Sequence, residues 1–209
     1  FQVVFLDVAQ GDTILIQDGE THVLIDGGRD GLRLLSRLGR YMPFWDRTIE
    51  VVVATHPDRD HIGGLPTLFR NYQVETLLTN GQKGETTTAQ IFDELAYSRV
   101  KYQKEVAEGS EVVLPSGATL RFLYPLLPLP SDSPIETNEG SLVARLDFSE
   151  TNFLFTGDLP NEELALSSVQ PVDVLKVAHH GSRFSTSGAF LDMLKPKEAV
   201  VSVGENTYG

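Results

Sequence analysis

Cysteine is absent from the 209 residues, which removes disulfides, thiolate metal ligands and cysteine nucleophiles while leaving either side of a membrane open. Long apolar runs are missing too. None approaches the roughly 20 residues that a bilayer-spanning helix requires, so no direct membrane insertion of this segment is expected. Positive charge is scarce, with Lys+Arg 17 against Asp+Glu 29 and a formal net charge of −12. Bulk attraction does not hold nucleic acid or anionic lipid on such a surface, so a polyanionic substrate would need metal ions, a local basic patch or a further domain. Hydrophobic content of 41% and charged content of 22% fit a soluble globular protein, and the length suits one domain over 1–209. The chain opens on Phe1 inside a strand-like run and closes on the turn-like Asn206-Thr207-Tyr208-Gly209, which predicts an excised domain with more protein on both sides.

Strands are expected at Val3 to Val8, Thr13 to Gln17 and Thr21 to Ile25, the last two joined by Asp18-Gly19, a turn pair that tolerates positive φ. Leu34, Leu35, Leu38, Tyr41 and Met42 share one helical face. Ile49 to Ala54 is a near-continuous apolar strand of the kind buried on both faces, and Gly63 to Tyr72 should be helical. A strand at Val74 to Thr79, a helix near Ala89 to Arg99 and short strands near Val112 to Leu114 and Leu120 to Tyr124 follow. The proline-rich stretch Pro125 to Gly140 reads as a long surface loop. Beyond it come strands Ser141 to Phe148 and Asn152 to Thr156, a helix Asn161 to Ser168, strand Val172 to Ala178, a helix near Ser187 to Leu194 and strand Ala199 to Val203. Meandering strands and helices in two similar halves predict an α+β fold, a four-layer αβ/βα sandwich.

Chemistry concentrates in Thr55-His56-Pro57-Asp58-Arg59-Asp60-His61-Ile62-Gly63-Gly64, where four potential ligands fall within six residues after a buried strand. Imidazoles and carboxylates crowded onto one loop repel and desolvate one another unless a cation neutralises them; the plainer alternative is a solvated loop with helix-capping aspartates. Thr156-Gly157-Asp158 and Lys176-Val177-Ala178-His179-His180-Gly181-Ser182 repeat the pattern, each an apolar strand ending in ligand-type residues. Asp158 alone would serve equally well as a helix cap. Asp7 and Asp12 are expected to order the first turn, Asp26 to bond backbone near the site, His22 to face solvent, and Phe44 and Trp45 to anchor core or loop. Arg59 and Arg183 lie within ligand loops and are candidate phosphate contacts at the rim, as is Lys176, which falls inside a strand.

His56-x-Asp58-x-Asp60-His61 resembles the HxHxDH signature of the metallo-β-lactamase superfamily, with Asp58 in place of the second histidine. Leu24-Ile25-Asp26-Gly27-Gly28 and Thr156-Gly157-Asp158 are similar to its early structural and metal-bridging aspartate motifs. Phe5 to Asp12, Thr55 to Leu65, His179-His180-Gly181-Ser182 and Val203-Gly204-x-Asn206-x-Tyr208-Gly209 together resemble the C-terminal domain of the ComEC family of membrane DNA-uptake proteins. That resemblance implies a metallo-β-lactamase fold with two divalent metal ions. His56 and Asp58 would hold one, Asp60 and His61 the other, Asp158 would bridge them, and His180 would be a ligand. His179 would be a supporting or phosphate-contacting residue, with Ser182 beside it. The superfamily's third histidine motif falls around Asn138 to Ser141, where this chain has none. With fewer imidazoles and more carboxylates, the donor set suits Mn²⁺, with Zn²⁺ the other possibility. The implied activity is metal-dependent cleavage of DNA, in which Asp60 and His179 are the catalytic candidates and a hydroxide generated between the metals attacks. The implied setting is the extracytoplasmic side of a cell-membrane protein, alongside its membrane and DNA-binding domains. The alternatives are another hydrolase of the same fold and a binding module with a degenerate metal site.

Overall fold

The computed structural model describes residues 1–205. Two six-stranded sheets pack face to face. The first contains β1 (Gln2–Phe5), β2 (Ile14–Asp18), β3 (Thr21–Ile25), β4 (Thr48–Ala54), β5 (Gln73–Thr79) and β6 (Tyr102–Glu105) in sequential order. The second contains β7 (Glu111–Val113), β8 (Thr119–Tyr124), β9 (Val143–Phe148), β10 (Thr151–Phe155), β11 (Val174–Lys176) and β12 (Glu198–Val200), again in sequential order across the sheet. Each sheet is antiparallel in its early strands and becomes parallel later, from β3 in the first and from β10 in the second.

Period-two alternation decides which layer each side chain enters. Leu15, Leu24 and Val52 point to the outer face of the first sheet, where Leu34 and Leu38 of α1 (Gly31–Leu38), Leu68 of α3 (Leu65–Asn71) and Phe92 of α4 (Thr87–Arg99) cover them. Their neighbours Ile14, Ile16, Val23, Ile25 and Val53 point inward against Leu120, Phe122, Leu146 and Phe155 of the second sheet. The other face of that sheet, through Val143, Leu154 and Leu175, is closed by Leu166, which follows α5 (Glu162–Ala165), and by Phe190 and Leu194 of α6 (Gly188–Leu194). The layers are therefore helix, sheet, sheet, helix, as the sequence predicts.

Several local expectations change. The helix expected over 63–72 is α3, which starts only at Leu65, and a separate helical turn, α2 (Arg59–Ile62), precedes it; between them Gly63 and Gly64 press their backbones against the carbonyls of Arg29 and Gly27. Strand β6 has all four residues exposed and carries no apolar alternation to announce it. His22 does not face solvent: it is 3% exposed, with Asp46 and Glu50 closing over it at 3.7 and 3.8 Å. The proline-rich segment ends in a 3-10 turn at Asn138–Gly140 rather than running on directly into a strand. The motif residues Asn206, Tyr208 and Gly209 lie outside the described residues.

Candidate metal centre

The clusters read from the sequence meet where β3, β4, β10 and β11 end. Thr55 stitches the two sheets together there, its carbonyl accepting the Leu142 N–H at 2.9 Å. Asp26, at the end of β3, adopts a left-handed backbone (φ 58), a strained conformation for a residue with a side chain. Its carboxylate holds that geometry in place: Oδ1 accepts the Thr55 N–H at 2.8 Å, and Oδ2 accepts the Thr55 hydroxyl at 2.7 Å and lies 2.8 Å from His61 Nδ1. Gly11 (φ 108) packs directly against the Asp60 carbonyl, where any Cβ would collide, so the loop after β1 can close on the ligand loop.

Three imidazoles are fixed in one way. His56 Nδ1 is bonded to the Thr55 hydroxyl at 3.0 Å and approached by Ser141 Oγ at 3.3 Å; His61 Nδ1 is bonded to Asp26; His180 Nδ1 donates to the Ser202 carbonyl at 2.8 Å. Among the described residues each Nε2 is buried without a hydrogen-bond partner. These nitrogens converge on Asp158: His61 Nε2 and His180 Nε2 lie 3.1 and 3.2 Å from its Oδ2, and His180 Nε2 lies 3.3 Å from Asp60 Oδ2. Three overlapping donor groups result among the described residues, His56–His61–Asp158, Asp60–His61–His180 and Asp12–Asp26–His61, with the ligand atoms of each within 4.8 Å of one another; the open Nε2 atoms point to the first two. Buried nitrogens held outward at Nδ1 and left open at Nε2 beside carboxylates are what divalent-cation binding requires, so the residues fit the ions.

Electrostatics follow from this crowding. Burial opposes protonation of His61, but Asp158 and Asp26 outweigh it and hold its pKa well above the ordinary value. Burial likewise opposes the His180 imidazolium, yet Asp158 and Asp60 raise it to about 9. For His56 burial wins, helped by neighbouring His61, and the pKa falls to about 4. Asp158 is held well below the usual carboxylate range: burial works against its ionisation, and His61 and His180 overcome it.

The other expected residues fall at different distances. Asp58 is half-exposed, with Oδ2 3.9 Å from His56 Nε2 and Oδ1 accepting the Thr137 hydroxyl at 2.6 Å. His179 and His180 are both left-handed (φ 46 and 54), which turns the adjacent rings apart; their centroids are 6.2 Å from each other, and His179 belongs to none of these donor groups. Ser182 Oγ accepts the Phe184 N–H at 3.4 Å within its own turn. Arg183 lies over the Phe184 ring at 4.7 Å and lines a cavity with Glu162 and Glu163. Arg59 is exposed beside Asp60.

Lys176 is not at a rim. Its side chain is 0% exposed, and its ammonium is ion-paired with Asp12, donates to the Gly157 carbonyl at 2.9 Å and lies 3.6 Å from Asp158 Oδ1. Asp12 is itself buried, 4.0 Å from His61 Nδ1, so its role extends beyond ordering the first turn. A lysine inside the apolar run Val174-Leu175-Lys176-Val177-Ala178 was the available signal, since a buried ammonium requires a carboxylate partner. Ser141, in the segment where the superfamily has its third histidine motif, accepts the Asp158 N–H at 3.1 Å and so orients that carboxylate.

This geometry is that of a metal-dependent hydrolase fold, and the chain belongs to the metallo-β-lactamase superfamily, whose family model matches residues 6–205. Among individual relatives it is 30% identical to "ComE operon protein 3" of Bacillus subtilis (strain 168) over 98% of this chain and 28% of that protein. It is 27% identical to "Competence protein ComA" of Neisseria gonorrhoeae over 99% of this chain and 28% of that protein. It is also 27% identical to "Recombination protein 2" of Haemophilus influenzae, over 98% of this chain and 24% of that protein. The chain thus spans about a quarter of the length of these relatives. Among solved structures, the metallo-β-lactamase fold protein YhfI from Bacillus subtilis superposes with a TM-score of 0.61 at 17% identity, over 98% of this chain and 87% of that one. Human tRNase Z, short form, does so with 0.60 at 11% identity, over 97% of this chain and 93% of that one.

Proposed function

We propose that this chain is a two-metal phosphodiesterase domain that cleaves DNA, with Mn²⁺ as the activating ion. The observation that carries the metal reading is the set of three imidazoles fixed at Nδ1, with buried Nε2 atoms that face carboxylates without a hydrogen bond and converge on Asp158. DNA as substrate is supported by the motif resemblance to ComEC proteins and by relatives named for competence and recombination.

His56, Asp58, Asp60, His61, Asp158 and His180 would hold the ions, which when bound supply Lewis acidity and a nucleophile at neutral pH. The chain's own contribution is orientation. Asp26, Thr55, Ser141 and the Ser202 carbonyl fix the ligands. Arg59, Arg183 and Ser182 would contact phosphate; Lys176 would act from below, through Asp12 and Asp158, rather than by touching substrate. His179 would reach the phosphate from the edge. The whole protein would be a cell-membrane DNA-uptake protein, with this domain on the extracytoplasmic side degrading the strand not taken up. None of the described helices is long and apolar enough to cross a membrane.

The test is turnover by metal-stripped protein resupplied with Mn²⁺, Mg²⁺ or Zn²⁺, on DNA, on bis-nitrophenyl phosphate and on a β-lactam. The expected order on DNA is Mn²⁺, then Mg²⁺, then Zn²⁺, because carboxylate-rich sites suit the harder ions. Full activity with stoichiometric Zn²⁺ and none with Mn²⁺ overturns the metal assignment. Hydrolysis of the β-lactam but not of DNA overturns the substrate.

A further inference from the structure

Beside the metal centre lies a second feature, a cavity of about 540 Å³ lined by Gln10, Arg29, Asp30, Arg33, Arg59 and Thr67 among others. Three arginines on one concavity are notable in a chain of net charge −12, which carries only 17 basic residues in all. Among the described residues, the guanidinium groups of Arg29 and Arg59 have no hydrogen-bond or ion-pair partner, and both are exposed. Arg33 is anchored differently: with Arg37 it grips the exposed Asp7, at 3.1 and 2.7 Å, so two cations meet one carboxylate and positive charge is left over. The other acid in the wall, Asp30, is spent locally, its Oδ1 accepting the N–H groups of Leu32 and Arg33 at 2.8 and 3.1 Å.

The cavity is tied to the reacting site. Gln10 in its wall donates to Asp60 Oδ2 at 3.2 Å, and Arg59 immediately precedes Asp60 in the chain. An anion in the cavity would therefore sit next to, and not within, the donor groups around Asp158. We propose that this cavity is a phosphate subsite, in which Arg29 and Arg59, with Arg33 as the third wall, hold the backbone phosphate that flanks the scissile one in a single nucleic-acid strand. The proposal rests on the phosphodiesterase reading and adds to it the path of the strand, which leaves the metals over the start of α1. It also bears on the charge problem: three of the 17 basic residues are gathered on one concavity of a chain whose net charge is −12. Arginine suits the task, since its planar fork pairs with phosphate oxygens in a bidentate manner and keeps its charge at every working pH.

The experiment measures binding of a short fluorescein-labelled single-stranded oligonucleotide to metal-free protein by anisotropy across a KCl series, alongside turnover of the same oligonucleotide in Mn²⁺. Arg29→Glu should weaken binding about tenfold at low salt, and Arg29→Ala should reduce the slope of log affinity against log salt by about 0.7, the value for one lost single-strand phosphate contact. Arg29→Lys should retain most of the slope. Because Arg29 is exposed, the variant's thermal midpoint should match the wild type, which separates a binding loss from misfolding. Wild type that binds the oligonucleotide with Arg29→Glu and Arg29→Ala variants that bind equally well, at equal slope, overturns the subsite alone. Wild type that neither binds nor cleaves the oligonucleotide overturns the functional reading and the subsite together.

Discussion

His56 on the loop after β4 and His180 on the loop after β11 both face Asp158, yet the protein treats them oppositely. Burial, together with the neighbouring His61, lowers His56 to about 4, so it is a neutral donor at any physiological pH. His180 is also resisted by burial, but Asp158 and Asp60 raise it to about 9, so without metal it carries a proton. The first loop enters a helix, is wired by Asp26 and Thr55 and carries His61, whose pKa is likewise raised; on the other side the end of β11 and the loop after it bring the Lys176 ammonium and the His180 imidazolium. Of the three imidazoles only His56 is held neutral, whereas His61, His180 and the Lys176 ammonium bring positive charge to the carboxylates. These cations lie beside Asp12, Asp26, Asp60 and Asp158, so the buried carboxylates are paired.

The most damaging way to break the comparison is to remove what both loops share. Asp158→Ala should abolish hydrolysis, a loss larger than the roughly 10–100-fold that removing a supporting residue causes, with circular dichroism unchanged. Turnover near wild type would remove Asp158 from the ligand set, and Asp60→Ala is expected to behave alike. Next is Lys176→Met, which strands a buried carboxylate and should cost about 3–5 kcal/mol in urea unfolding of the metal-free protein. The double variant Lys176→Met, Asp12→Leu should recover much of that loss, and failure to recover would show that Lys176 acts on Asp158 rather than through Asp12. A smaller effect is expected from Asp26→Ala, which leaves the donors around Asp158 in place and should weaken metal binding roughly 10–100-fold in a competitive chelator titration.

The mildest test sharpens the contrast between His56 and His180 by pH. His180 has a raised pKa in the folded protein, so its proton stabilises the metal-free fold fully below the unfolded value near 6.5, and that contribution is lost as pH rises through about 9. The thermal midpoint of metal-free protein should therefore decline over this window, and His180→Gln should flatten the decline. Metal affinity should move the other way, because a cation must displace the same proton. A decline of equal steepness in the His180→Gln variant would show that other groups set the pH response.

Much of this site was visible along the chain because its parts share one local pattern, an apolar strand ending in ligand-type residues. The sheet sandwich was visible for a related reason. In β4 every residue from Ile49 to Ala54 except Glu50 is apolar and the two faces enter different cores, which only a strand covered on both sides can do. The misses have physical causes. Strand β6 is held by pairing with β5 and displays no burial pattern of its own. His22 looks like an ordinary polar strand residue until Asp46 and Glu50 fold across it.

By itself the sequence determined the donor inventory, the layer each strand residue enters and the superfamily, since those depend on residue type and spacing within short segments. Tertiary structure alone decided which donors meet. Asp12 and Lys176 are 164 positions apart in the numbering yet form one buried ion pair, and Ser141 reaches Asp158 and His56 from a segment that contains no histidine. Adjacent His179 and His180 are chemically equal in the sequence, and only the left-handed backbone at both turns one ring toward Asp158 and leaves the other at the edge. The same holds for charge: composition fixes its sum at −12, but the fold alone gathers Arg29, Arg33 and Arg59 around one cavity beside Asp60.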